Sequence, residues 1–217
     1  MTRGDLIVIS GFSGAGKGTL MRALMEKHSE FCLSVSMTTR KPRESEVDGR
    51  EYYFVSREEF EERIRKGMFL EYATYVGNYY GTPLDYVEKM LDEGRSVILE
   101  IEVQGALQIR EKVPDAVLMF VTTPDIETLY ARLKGRGTEN EETIMRRLGQ
   151  AAVEAEMIGQ YDYIVVNDEV DRCADRMYAM ICAAKSAPVR NAELVETLKK
   201  DLAAVLGNKQ TVKGEQS

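Results

Sequence analysis

The densest chemistry in the chain lies in Gly11-Phe12-Ser13-Gly14-Ala15-Gly16-Lys17-Gly18-Thr19, which follows the apolar run Leu6-Ile7-Val8-Ile9-Ser10. Glycines at these spacings let the backbone enter φ > 0 and turn successive N–H groups into one concave anion nest. A helix starting near Lys17 points its positive end at the same spot. The Lys17 ammonium can then reach the outer phosphates of a nucleoside triphosphate. The usual pattern carries a hydroxyl directly after the lysine to ligate Mg2+; here Gly18 stands there and Thr19 follows. Thr19 is therefore the candidate metal residue, directly or through a water. A ligand-free glycine turn is the plainer alternative, and the strand before and helix after weigh against it.

Three further groups could do chemistry. Ser36-Met37-Thr38-Thr39-Arg40-Lys41-Pro42-Arg43 runs on to Glu46, Gly49 and Tyr52. Arg40 and Arg43 stand three apart in a loop stiffened by Pro42. Their forks suit bidentate contact with phosphate oxygens, and a tyrosine hydroxyl adds a neutral donor. Next come Glu71, Tyr80-Gly81-Thr82 and Glu100-Ile101-Glu102. A carboxylate only accepts hydrogen bonds. Guanine offers it two neighbouring donors, the ring N–H and the amino group, where adenine has no such pair. Ser36 or Thr82 can donate to the guanine carbonyl. Glu100 and Glu102 share one pleat face after an apolar strand, which puts them at the ligand end of a sheet. The last group is Arg132, Arg136, Arg146 and Arg147. Arg132 and Arg136 lie one helical turn apart, and an arginine-bearing lid is what a moving phosphoryl group needs. Any one of these residues alone reads as a solvated surface charge; their company is what points to a site.

These side chains need elements to hold them. Apolar strand candidates span residues 6–10, 32–36, 97–101, 117–122 and 163–166, and helical stretches span 17–28, 103–112, 125–134 and 168–186. Short apolar runs alternating with helices predict an α/β fold with a buried parallel sheet covered on both faces. Ligands then gather at the carboxyl ends of the strands. Residues 37–82, rich in Arg, Glu, Tyr and Gly, form a small α+β insertion. In it, Ser56-Arg57-Glu58-Glu59 is a capping box opening a helix to about Lys66. Val76-Gly77-Asn78-Tyr79 is a turn between short strands. Thr82-Pro83 reads as the N-cap and first residue of another helix. A charged helix–loop–helix covers about 131–158. After Pro188, Leu194, Val195, Leu198, Leu202, Val205 and Leu206 repeat at helical spacing, with Gly207 at the stop and a polar, disordered tail at 208–217. That last helix packs on the core or on a partner subunit, and the spacing does not choose.

Composition bounds the rest. The 217 residues, 44% hydrophobic and 30% charged, suit a soluble protein with a sizeable core. No run approaches bilayer-spanning length, and residues 1–15 lack a signal-peptide pattern. Cys32, Cys173 and Cys182 have neither metal spacing nor an even count, and read as reduced thiols of a cytoplasmic protein. A net charge of −7 argues against a general nucleic-acid binder but leaves local arginine clusters free to take small anions. With His28 as its one histidine, the chain has little means for a Ser-His-Asp triad and none for a multi-histidine metal site.

With these residues together, the chain resembles the guanylate kinases, within the P-loop nucleoside-monophosphate kinases, from about Leu6 to Ala183. The stretches that carry the resemblance are Gly11–Thr19, Ser36–Phe54, Glu71–Thr82, Glu100–Gly105, Arg132–Glu139 and Val165–Asp168. The resemblance implies transfer of the ATP γ-phosphoryl group to GMP, and leaves dGMP open as a second acceptor. It implies a P-loop core (1–35, 88–128 and 159–187), a GMP-binding insertion (36–87) and a lid (129–158), with 188–217 left as the C-terminal helix and tail. It assigns Ser36, Glu71, Thr82 and Glu102 to guanine, and Arg40, Arg43, Tyr52 and Tyr80 to the GMP phosphate. Lys17, Arg132, Arg136 and Arg147, with Arg40, fall to the transferring group. Gly11 to Thr19 cradle ATP, Asn167 lies near adenine, and Mg2+ accompanies the nucleotide. Phe12 stands where the family usually has proline, Ser45 where glycine is common, and Glu102 where aspartate is. Another nucleotide kinase, a non-catalytic guanylate-kinase-like interaction module and a regulatory GTPase remain as alternatives.

Overall fold

The computed structural model describes residues 3–43, 46–75, 77–135 and 141–214. In chain order the elements are β1 (Leu6–Gly11), α1 (Lys17–Lys27), β2 (Phe31–Leu33), β3 (Met37–Thr38), β4 (Tyr53–Phe54), α2 (Arg57–Arg65), β5 (Phe69–Tyr75), β6 (Asn78–Pro83) and α3 (Leu84–Asp92). There follow β7 (Ser96–Glu100), α4 (Val103–Lys112), β8 (Val117–Thr122), α5 (Ile126–Gly135), α6 (Glu141–Ala155), β9 (Tyr163–Val166), α7 (Val170–Ala184) and α8 (Ala192–Gly214).

Two sheets organise them. A five-stranded sheet runs β2-β7-β1-β8-β9 with every pairing parallel. Along β1 the side chains alternate between two cores, as the period of a strand requires. Ile7 and Ile9 pack with Leu20 and Leu24 of α1 and Met177 and Ile181 of α7. Leu6 and Val8 pack on the other face with Val87 and Met90 of α3 and Ile109 of α4. The predicted two-sided parallel sheet is what forms, and its carboxyl ends converge on the glycine loop.

The second sheet has four strands in the order β4-β3-β6-β5. It carries its own core, in which Phe60 is fully buried and stacks between Phe69 at 4.3 Å and Tyr79 at 5.1 Å. Ser56 caps α2 as its spacing predicts, its Oγ accepting from the Glu59 N–H at 3.1 Å. The β5–β6 hairpin turns at Gly77, where φ is 77°; Val76 lies outside the described residues. A register shift between Phe69 and Glu71 marks a bulge in β5. By the ordinary alternation of a strand, Phe69 enters the small core and Leu70 the core of the large sheet.

Several expectations need correction. The strand expected over 32–36 stops at Leu33, because Ser34 to Ser36 carry the chain from one sheet to the other. The Ser34 N–H still donates to Ile98 O at 2.9 Å, and Ser36 O already accepts from Tyr53 N–H at 2.9 Å. Thr82 is not the N-cap of α3. It pairs with Glu71 inside the small sheet, and Pro83, with ψ 127°, takes the cap position without a side-chain bond. Gly207 does not end the last helix: it keeps a helical φ, no proline follows, and α8 continues to Gly214 instead of giving way to a tail at 208. The leucine row of α8 is not packed on the core, since Leu194, Leu198, Leu202 and Leu206 remain 52–62% exposed. His28 closes α1 and stacks on Tyr178 at 3.6 Å. Cys32 and Cys173 are buried and Cys182 is exposed, all as free thiols.

Because Phe60 fills the centre of the small core, Phe60→Ala should cost about 3–5 kcal/mol. A urea titration that leaves the unfolding midpoint unchanged would contradict that placement.

Candidate active site

The site begins where β1 ends. From Gly11 the loop turns through Phe12, whose ring is buried against Phe120 at 4.9 Å, so the residue standing for proline is core. Gly16 sits in the left-handed region, φ 89° and ψ 24°, and heads α1. A Cβ there would stand 2.6 Å from the Asn167 amide nitrogen, so only glycine fits. The Ala15 carbonyl is pulled outward by two donors, Asn167 Nδ2 at 2.7 Å and Arg132 Nη1 at 3.2 Å. With that oxygen tied back, the loop can turn its N–H groups into the nest. Lys17 Nζ lies along the same loop, donating to Gly11 O at 2.7 Å and Phe12 O at 3.4 Å. Ser13, Gly18 and Thr19 are exposed, so the Thr19 hydroxyl is open to a ligand.

Beside Lys17 opens a cavity of about 430 Å3 between the two sheets. Ser36, Arg40, Arg43, Tyr52, Glu71, Tyr80, Glu100 and Glu102 all line it. A second cavity, about 390 Å3, holds Ser13, Arg146 and Arg147 and shares Ala73 and Glu102 with the first. The two clefts thus adjoin at Ala73 and Glu102. Arg147 reaches across from α6 to the loop, its Nη1 donating to Ser13 Oγ at 2.8 Å.

Glu71 is the most committed residue of the wall. It is 4% exposed, its Oε1 accepts from Thr82 Oγ1 at 2.6 Å, and burial pushes its carboxyl above the usual range against the pull of those bonds. Thr82 itself is fully buried behind Glu71 and does not line the cavity. Glu100 is raised chiefly by desolvation in the cleft, with Lys17 opposing and Glu102 adding to the rise. Glu102 heads α4 without capping it and stays exposed in the cleft. Glu46 moves the other way. Paired with Arg40, its carboxyl falls to about 2.

Of the expected residues, Lys17, Ser36, Arg40, Arg43, Tyr52, Glu71, Tyr80 and Glu102 share the first cleft, Ser13 and Arg147 line the second, and Arg132 braces the loop from α5. Asn167 is 2% exposed beneath the loop, with its Oδ1 lacking a protein partner. Arg136 lies outside the described residues. The guanylate kinase family model matches residues 3–184.

The chain belongs to the guanylate kinase family.

Its relatives include the guanylate kinase of Lactococcus lactis, 59% identical over 179 residues, 82% of this chain and 87% of that protein. The Latilactobacillus sakei guanylate kinase is 51% identical over 199 residues, 91% and 97% of the two chains. The solved guanylate kinase of Anaplasma phagocytophilum superposes with a TM-score of 0.70 at 33% identity, covering 87% of this chain and 90% of that one.

Two residues of this guanylate kinase site carry no signal in the sequence that reveals their part. Glu154 of α6 is buried in the second cavity wall, raised by burial, with one carboxylate oxygen lacking a protein partner. Gly105, in the first turn of α4, leaves room for Glu71: a Cβ there would stand 2.5 Å from Glu71 Oε2. Glu71 is held by Thr82 and has nowhere to retreat. Gly105→Ala should therefore lower the unfolding midpoint, because an overpacking cost of about 1–3 kcal/mol outweighs the roughly 1 kcal/mol of helix propensity, and should weaken guanosine binding about tenfold. Calorimetric titration that finds native affinity in the variant would refute the close fit.

Proposed function

We propose that this guanylate kinase moves the γ-phosphoryl group of ATP directly to a phosphate oxygen of GMP, with the nucleotides in the two adjoining clefts. The observation that carries the reading is the buried carboxylate of Glu71 in the wall of one cavity with Arg40, Arg43, Tyr52 and Tyr80. In this reading Glu71 receives the two guanine donors, Ser36 and Glu102 flank the base, and Thr82 acts from behind by orienting Glu71. The arginines and tyrosines take the monophosphate. Residues 36–87 serve as the acceptor lobe, 129–158 as the lid, and the rest of the P-loop core as their frame. The protein acts in the cytoplasm, and dGMP is a second acceptor to examine.

The acceptor needs no general base. A phosphate monoester loses its second proton near pH 6, so at neutral pH it is already a nucleophile. The difficulty is bringing two polyanions together, so the work falls to positioning and charge neutralisation. Lys17 leaves its loop carbonyls for the outer ATP phosphates, and Arg147 and Arg132 stand on the donor side. Asn167 serves the ATP side from beneath, by holding the Ala15 carbonyl of the loop at 2.7 Å. Lid closure excludes water, the competing acceptor.

Among the described residues no three acidic, histidine or cysteine groups gather into a metal cage. The exposed Thr19 hydroxyl and the Glu100 carboxylate beside Lys17 are oxygen donors that fit Mg2+, which keeps its waters and binds through phosphates with one or two protein oxygens. Thr19 and Glu100 would hold it there, and the ion would supply further neutralisation of the phosphate charge.

The deciding experiment is an acceptor panel with MgATP, reading ADP formed with GMP, dGMP, AMP, CMP and UMP. GMP should exceed AMP by roughly four orders of magnitude in kcat/KM, since AMP leaves a buried carboxylate without donors. Equal rates with the two would remove the guanine assignment.

A pH dependence follows from Glu71. Its carboxyl titrates above the ordinary value in the empty site, and only the anion accepts both guanine donors. Guanosine, which lacks the phosphate, should bind weakly at acid pH, tighten as pH rises through the raised value, then level off. Glu71→Gln should bind weakly at every pH; a variant that keeps the wild-type slope would assign the titration to another group.

A further inference from the structure

Glu46 lines the acceptor cavity without a part in the reading above. Its side chain is only 11% exposed. The two carboxylate oxygens take the end of the Arg40 fork in parallel: Nη1 donates to Oε2 and Nη2 to Oε1, both at 2.9 Å. Oε2 also accepts from the Arg43 backbone N–H at 2.8 Å, while the Arg43 guanidinium stands off at 4.0 Å and is largely exposed. The other Nη1 hydrogen goes to Lys41 O at 2.7 Å. Arg40 is further confined by the rings of Tyr52 at 5.5 Å and Phe54 at 5.7 Å.

A guanidinium has two edges that can meet an oxyanion with paired N–H groups. Glu46 occupies the end-on edge and leaves the side edge, Nε–H with the outer Nη2–H, facing away from the carboxylate. The Tyr80 side chain hydrogen-bonds Arg40, and with both Nη1 hydrogens and the inner Nη2 hydrogen engaged that bond falls on this side edge, so a phosphate there meets guanidinium and phenol together. Burial with a partner matters here, because an arginine with a loose fork would lose rotamer freedom each time a ligand arrived. A neighbouring carboxylate also offsets part of the positive charge that attracts phosphate. The two effects oppose each other, and the bidentate geometry with the additional backbone bond favours orientation.

We propose that Glu46 is the positioning residue of the phosphate grip: it presets the Arg40 fork and the Arg43 backbone so that a nucleoside monophosphate meets an assembled clamp. This rests on the acceptor reading of the cavity. The phosphate's own share of binding is the ratio of guanosine to GMP dissociation constants, measured by calorimetry on the full chain.

In Glu46→Ala that ratio should fall on the order of tenfold, as expected for losing an oriented charge-assisted contact. Guanosine affinity and the KM for ATP should stay within about twofold, while the KM for GMP rises. Glu46→Gln, similar in shape but uncharged, should lie between Ala and wild type and covers the case where Ala does not fold. An unchanged ratio, or tighter GMP binding, would overturn the proposal; tighter binding would mark Glu46 as a competitor of the phosphate. An equal loss for guanosine and GMP would also overturn it, since that reports a damaged lobe. Wild-type protein that binds guanosine but gains nothing from the phosphate would sink the acceptor reading itself, whatever the variants do.

Discussion

The Ala15 carbonyl, drawn out of its own loop by Asn167 and Arg132, is the contact on which the phosphate cradle depends. A peptide unit cannot offer its N–H inward unless its C=O finds a partner outward. Both outward partners come from later in the chain, one from the loop after β9 and one from α5. The Arg132 fork also donates to Asn167 O at 2.9 Å, so the two braces hold each other. The cradle is thus a property of the assembled sheet as much as of the glycine pattern. Parallel order matters for the same reason: Gly11 pairs with Val121, and Thr122 with Val166, which brings the three strand ends to one level.

Carboxylates in the cleft show how surroundings divide one chemistry into different tasks. Glu46 and Glu71 have the same functional group and move in opposite directions. Glu46 faces a guanidinium and a backbone N–H, which favour its charge. Glu71 takes the Thr82 hydroxyl and backbone N–H, with the Lys112 charge also helping, and burial still outweighs them. A ligand with paired N–H groups would supply further donors there, whereas Arg40 in the same cavity is already neutralised in part by Glu46.

Much of this was readable from residue order. The loop from Gly11 to Thr19, the Ser56 cap and the two-sided parallel sheet each follow from local spacing or period, and each forms. The shared wall of Arg40, Arg43, Tyr52, Tyr80 and Glu71 was legible from residue type together with the family pattern. What could not be read depends on contacts between distant segments. Gly105 looks like an indifferent helical glycine until Glu71 is placed against it. Thr82 carries a good local signal for a cap, but its pairing with Glu71 across β5 and β6 takes precedence. Glu46 follows Arg40 closely in sequence, yet nothing in the spacing says that a loop will fold both oxygens onto one fork. The end of α8 was misjudged because a glycine stops a helix only when it adopts a positive φ.

The start of β5 has a mechanical consequence. Adjacent residues, Phe69 and Leu70, are anchored in different cores, so the strand is pinned to both bodies at one point. Glu71 follows immediately and sits almost on that pivot, whereas Arg43 lies out on the rim. Glu71, Arg40, Arg43, Tyr52 and Tyr80 all ride on that smaller body, so a tilt at this point would carry the base and phosphate walls as one unit towards or away from Lys17.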